Sequence, residues 1–274
     1  MKTFNILFFS LLFSTTVHAS DIQINNLKTD LPSGQYEATT YQPTDRDIKA
    51  ILILTPTIAG VSLMEKANAH YFSKAGFLVI MPLPYDDEIT STQPDIAKLD
   101  EGFIRPALAV DSFIEISEKQ FHLPANLPVF AMGASQGGIR TLIITSHSPR
   151  ITAAWFATAG GDFASIYARS TVKKIATFRE NHMKFLGLTK VSDYETYLRN
   201  NLKNDPAIAC KDIKVPFVQT IALKDDKVPT ENQELLVKNC PAHKVIRIDT
   251  GHVGGSLTTL KWRKQIKTFF LNSI

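Results

Sequence analysis

Short apolar runs alternate with longer amphipathic stretches along most of the chain. The runs are KAILILTP (Lys49 to Pro56), FLVIMPLP (Phe77 to Pro84), LPVFAMG (Leu127 to Gly133), AAWFATAGG (Ala153 to Gly161), FVQTIAL (Phe217 to Leu223) and KVIRID (Lys244 to Asp249). Each is too short and too continuous for an amphipathic helix and ends at proline, glycine or a polar turn. Near-continuous apolar strands are expected where both faces of a parallel sheet are covered. Between them, Leu63 to Ala75, Phe103 to Glu118 and Glu231 to Lys238 carry helical spacing, and Gly76 is a plausible stop for the first. The terminal stretch LTTLKWRKQIKTFFL places Leu257, Leu260, Ile266, Phe269 and Phe270 on one side and Lys261, Lys264 and Lys267 on another, as in a docked terminal helix with a solvated basic face.

Strand–helix alternation predicts an α/β fold with a mainly parallel central sheet flanked by helices. The earlier segments IQINNL and GQYEATTYQP alternate more openly and read as an antiparallel hairpin at the sheet edge. Asp162 to Ala209 breaks the rhythm: it holds no convincing strand and spaces its aromatics (Phe163, Tyr167, Phe178, Phe185, Tyr194, Tyr197) through polar sequence. It is expected to be a helical insertion over one end of the sheet, either a lid or ordinary connecting helices. No repeat or low-complexity linker interrupts residues 20–274, which are read as one domain.

The first twenty residues change the picture of where the chain works. Lys2, an apolar run from Ile6 to Phe13 broken only by Ser10, and Val17-His18-Ala19 have the layout of a secretory signal peptide over residues 1–19. No later segment approaches eighteen unbroken apolar residues, so the mature protein is expected to be exported, periplasmic or secreted, without an integral membrane segment. Cys210 and Cys240 then lie in an oxidising compartment, where an even pair suggests a disulfide. Each shortly precedes a strand, so a bond between them would sit at the N-terminal edge of the sheet if those strands are neighbours. The 274 residues carry 30 basic and 26 acidic side chains, for a formal charge of +4. The basic residues are scattered, which gives no nucleic-acid footprint, and no cluster with metal-ligand spacing is present.

The candidate chemistry lies where the third apolar run ends. Gly133-Ala134-Ser135-Gln136-Gly137 has the form G-x-S-x-G, in which a serine sits on a strained turn between strand and helix. The glycines leave clearance for neighbouring backbone, and the turn puts Ser135 at a helix N-terminus, where backbone N–H groups favour negative charge. Alone the pattern turns up by chance in roughly one chain in ten of this length. A serine nucleophile also needs a base and a carboxylate. Of seven histidines, His252 stands apart, in the glycine-flanked loop DTGHVGG at the C-terminal end of a strand, where ligand and catalytic groups gather in parallel sheets. Asp225 and Asp226, in LKDDKVPT, follow the strand before it. Ser, then Asp, then His is the α/β-hydrolase order.

With these three motifs in place, the chain resembles the α/β-hydrolase superfamily, and within it the esterase and dienelactone-hydrolase-like branch, from about Ile48 to the end. The family's D-x-x-V-P pattern falls on Asp225 to Pro229 and implies Asp225 rather than Asp226 as the acid. Its G-H-x-G pattern falls on Gly251 to Gly254. Dienelactone hydrolases use a cysteine nucleophile; Ser135 stands at that position here, so lactone opening does not carry over and ester hydrolysis fits better. The oxyanion donors implied are the N–H of Gln136 and, from the TPTIAG segment, the N–H of Ile58, with Thr57 next; Pro56-Thr57 stands where the family has His-Gly. The expectation is an exported serine hydrolase that cleaves a small-molecule ester through an acyl-enzyme, with no cofactor and no metal. The same triad serves peptidases, thioesterases and lipases, and a decayed site would leave a binding protein on the same fold. A dehalogenase-like or epoxide-hydrolase-like enzyme needs a carboxylate where Ser135 stands.

Overall fold

The computed structural model describes residues 21–83, 95–241 and 243–274. The leader expected over residues 1–19 and the end of the second apolar run at Pro84 lie outside the described residues. Eight strands form one sheet: β1 (Ile22–Leu31), β2 (Gly34–Pro43), β3 (Ala50–Thr55), β4 (Phe77–Pro82), β5 (Val129–Ala134), β6 (Ile151–Ala157), β7 (Phe217–Ala222) and β8 (Lys244–Ile248). Their order is β1-β2-β4-β3-β5-β6-β7-β8. The β1–β2 hairpin joins β4 antiparallel and every other pairing is parallel. Each of the six apolar runs contains one of β3 to β8, and the hairpin occupies one edge. β8 forms the other edge, and there the sequence reading needs correction: none of its residues is buried, Lys244 and Arg247 being exposed and Val245, Ile246 and Ile248 half-buried, as befits a strand with a neighbour on one side only.

Period-two alternation sorts the central strands into two cores. Ile51, Ile53, Leu78, Ile80, Val129 and Ala131 face one layer. Ala50, Leu52, Leu54, Phe77, Val79, Met81, Phe130 and Met132 face the other. The first face packs on α2 (Ile96–Gln120) and α3 (Gln136–His147), the second on α1 (Leu63–Lys74) and the C-terminal helix. α2 begins seven residues earlier than its apolar spacing suggests, because Asp95 caps it by accepting from the amides of Ala97 and Lys98. Pro106 lies within it.

Between β6 and β7 the insertion forms α4 (Phe163–Arg169), α5 (Lys173–Phe185), α6 (Val191–Asn201) and the single turn α7 (Pro206–Ala209). Four of its spaced aromatics, Phe163, Tyr167, Phe178 and Tyr194, are buried in the core, whereas Phe185 is exposed. After α8 (Thr230–Asn239), the segment around His252 departs from the loop expected: residues His252–Ser256 form a short helix, α9. The terminal stretch is also two helices, α10 (Thr258–Lys261) and α11 (Arg263–Leu271), divided at Trp262. Ile266 and Phe270 of α11 are fully buried, while Leu257 lies outside both helices and is exposed.

Cys210 and Cys240 are joined in a disulfide with their Cα atoms 5.1 Å apart. It links the turn before β7 to the end of α8, at the opposite edge of the sheet from the strand ends that carry Ser135, Asp225 and His252. Closing a loop of this length restricts the unfolded chain by about 3 kcal/mol in the chain-entropy picture. Replacing both cysteines by serine should therefore lower Tm by roughly 6–12 °C. A shift below a degree in calorimetry would show that the bond does not constrain the unfolded chain.

Candidate active site

The turn after β5 is strained at the serine. Ser135 has φ 55° and ψ −128°, a region costly for any residue with a Cβ, by about 1–3 kcal/mol. Two features hold it there. Its N–H donates to the Ala157 carbonyl at 2.9 Å and to Thr158 Oγ1 at 3.1 Å. The flanking glycines let the helix return close to the strands: a Cβ at Gly133 would fall 2.5 Å from the Gly137 carbonyl, and one at Gly137 would fall 2.7 Å from that of Pro56. The G-x-S-x-G spacing is thus a clearance requirement, since a clash with backbone cannot be relieved by a rotamer change.

The ends of β5, β7 and β8 bring Ser135, Asp225 and His252 together. Ser135 Oγ lies 2.9 Å from His252 Nε2, and His252 Nδ1 lies 2.8 Å from Asp225 Oδ2. An ionised carboxylate only accepts, so Nδ1 carries the proton and Nε2 offers a lone pair to the serine hydroxyl. The Asp225 side chain is fully buried and that of His252 is 14% exposed. The neighbouring Asp226 is turned away, exposed, and paired with Lys227 at 3.2 Å. Its hydrogen bond from Lys227 holds its carboxyl below the usual range.

The three amides considered for an oxyanion differ in how they are used. Gln136 is the first residue of α3, where an N–H has no acceptor within the helix. In the loop after β3, the Thr57 N–H donates to Glu65 Oε1 at 3.2 Å. The Ile58 N–H has no acceptor among the described residues, and Ile58 shares a cavity with Ser135 and Gln136.

No protein-family model matches the chain, and no curated protein sequence matches it. Solved structures do. An acylaminoacyl peptidase from Pyrococcus horikoshii superposes with a TM-score of 0.65 at 12% identity, over 93% of this chain and 42% of that one. This chain therefore spans about two fifths of that peptidase. A cold-adapted esterase from an Arctic intertidal metagenomic library superposes with a TM-score of 0.62 at 12% identity, over 90% of this chain and 95% of that one. A protein assigned as a dienelactone hydrolase from Klebsiella pneumoniae gives 0.59 at 16% identity, over 91% and 99%. The chain has the α/β-hydrolase fold.

Within this α/β-hydrolase fold, several residues that support the site carry no motif. Gln233 of α8 is fully buried. Its Nε2 donates to Asp225 Oδ2 at 2.9 Å and to the Val228 carbonyl at 2.7 Å, while its Oε1 accepts from the Ala222 N–H at 3.1 Å. Asp225 Oδ1 accepts from the Lys227 and Val228 amides. Glu65, buried at the start of α1, ties the loop after β3 together: beyond Thr57 it accepts from the amide and hydroxyl of Ser62, which caps that helix. The spacing Ser62-x-x-Glu65 is a capping box, the one signal in the sequence that could have located this carboxylate. Thr158, itself at φ 50°, connects the elbow to Ser256 of α9 at 3.0 Å. Two other histidines are packing groups. His182 faces the Tyr194 hydroxyl at 3.1 Å, and His243 stacks on Phe217 at 4.2 Å. Burial lowers the pKa of both.

The insertion reaches the site. Ser170 Oγ donates to the Lys227 carbonyl at 2.7 Å, in the turn that carries Asp225. Ile166 and Tyr167 of α4 and Ile175 of α5 line the cavity beside Ser135. Among the described residues, no three His, Cys, Asp or Glu side chains are grouped to hold a metal ion, and no helix is long and apolar enough to cross a membrane.

Proposed function

We propose that the chain is an exported serine hydrolase that cleaves carboxylic esters. One observation carries the reading: the unbroken path from Ser135 Oγ through the His252 ring to Asp225 Oδ2, with both steps below 3 Å. His252 takes the proton of Ser135 as the hydroxyl attacks the ester carbonyl, and Asp225 stabilises the imidazolium that forms. The Gln136 and Ile58 amides hold the developing oxyanion. His252 then gives its proton to the leaving alcohol, and water cleaves the acyl-enzyme by the same path. The disulfide and the leader-like residues 1–19 support export.

The test is covalent. A small fluorophosphonate should add one phosphonyl group to the folded protein, located on Ser135 by peptide mass spectrometry, and His252→Ala should abolish the labelling. A folded protein whose Ser135 stays unmodified at millimolar reagent would defeat the reading.

A further inference from the structure

The cavity beside Ser135 also constrains what the enzyme accepts, an inference that rests on the serine-hydrolase reading. Its walls include Ser135, Gln136 and Ile58, but His252 is not among them. In ester cleavage the leaving oxygen must lie beside His252 Nε2, which protonates it. A group lodged in a cavity without a His252 wall is therefore the acyl substituent of the carbonyl, and the alcohol lies on the open side.

That cavity is very small. It offers about 20 Å³ to a water-sized molecule, where one water needs ~10–15 Å³ by the same measure. It accommodates one methyl-sized group. The walls are also well supported. Phe103, Ile139, Ile166 and Tyr167 are each at least 97% buried. Phe103 packs on Phe163 at 4.2 Å and edge-on to Tyr167 at 6.1 Å, and Tyr167 packs edge-on to Phe178 at 6.2 Å. On the insertion side, Ser170 fastens the start of α5 twice, accepting from the Val172 amide at 3.3 Å while its hydroxyl donates to Lys227. A longer chain would have to displace interlocked rings in a core packed to crystal density.

We infer that the substrates are esters of acetyl-sized acids: the acyl subsite takes the methyl of an acetyl group, and the bulk of the substrate belongs to the alcohol. Tyr167 and Val172 set the limit, Tyr167 as an interlocked wall and Val172 as the wall residue in the fastened turn between α4 and α5.

The experiment compares kcat/KM of the full-length mature protein for p-nitrophenyl acetate, butyrate and octanoate. Butyrate should fall below acetate by at least about tenfold and octanoate by at least about 100-fold, the discrimination expected of a hydrophobic pocket that is too short. Tyr167→Ala should narrow the acetate-to-butyrate ratio by about tenfold, and Val172→Ala should narrow it in the same direction by less. Where Tyr167→Ala loses its cooperative thermal transition, Val172→Ala decides. Wild-type protein that labels at Ser135 yet hydrolyses butyrate or octanoate as well as acetate overturns the size limit alone. Folded variants with an unchanged ratio overturn the assignment of these walls. Protein that neither labels at Ser135 nor cleaves any of the three esters overturns the hydrolase reading and the size limit with it.

Discussion

Ser135→Ala should reduce kcat toward an activated acetate ester by about 10⁵–10⁶-fold, with KM changed little. The attacking oxygen is lost, while the cavity and the amides of Gln136 and Ile58 proposed to hold the oxyanion remain. The loss should not come from unfolding. Alanine keeps the Cβ, so the strain at φ 55° is unaltered, and the backbone bonds to Ala157 and Thr158 do not involve the hydroxyl. Among the described residues, the one side-chain hydrogen bond lost is that with His252. A Tm within a few degrees of wild type, measured alongside the kinetics, separates lost chemistry from lost structure. A variant that keeps more than about 1% of wild-type turnover would mean that hydrolysis does not run through Ser135.

The second large effect distinguishes adjacent aspartates. Asp225→Asn should lower kcat by about 10⁴-fold, whereas Asp226→Asn should leave it within about twofold. The hydrogen bonds give the reason. At Asp225, one oxygen accepts from the two fixed amides of Lys227 and Val228, and the other accepts from Gln233 and His252. An asparagine must present its carbonyl to the backbone pair, which leaves its NH₂ facing His252. The imidazole then has to accept at Nδ1, so Nε2 carries the proton and can no longer take one from Ser135. Among the described residues, the Asp226 carboxylate hydrogen-bonds only with Lys227 and Thr171. The measurement is single-turnover hydrolysis of p-nitrophenyl acetate from neutral to alkaline pH. Equal losses in the two variants would remove Asp225 from its assigned role.

Much of this arrangement was legible in the sequence because it is governed by local rules. Buried parallel strands must be continuously apolar, so β3 to β7 announced themselves, and a strained turn must have glycine where backbone returns upon backbone, so the elbow did too. β8 was read as a strand correctly but its burial was not, since apolar content does not reveal that a strand lies at an edge. The helix at His252 was hidden by Gly254 and Gly255, which ordinarily mark a loop. Here Gly255 is required for close packing, as a Cβ would fall 2.8 Å from that of Ala222. The loop after β3, proposed to supply an oxyanion donor, was harder still. Backbone donors have no side-chain signature, and the carboxylate that occupies the Thr57 amide comes from a helix eight residues on. Gln233 was invisible for a similar reason: a glutamine in an amphipathic helix looks like surface until the packing turns it inward.

The insertion leaves the sheet at the end of β6 and returns at the start of β7, and these strands are hydrogen-bonded neighbours. Ser135, Asp225 and His252 all sit outside it. One continuous segment between neighbouring strands thus supplies Ile166, Tyr167, Val172 and Ile175 to the walls of the cavity beside Ser135, while Phe103 and Ile139 come from helices outside it. Replacing residues 162–209 with a segment of different length and bulk would reshape that cavity and also remove the bond from Ser170 to the turn that carries Asp225.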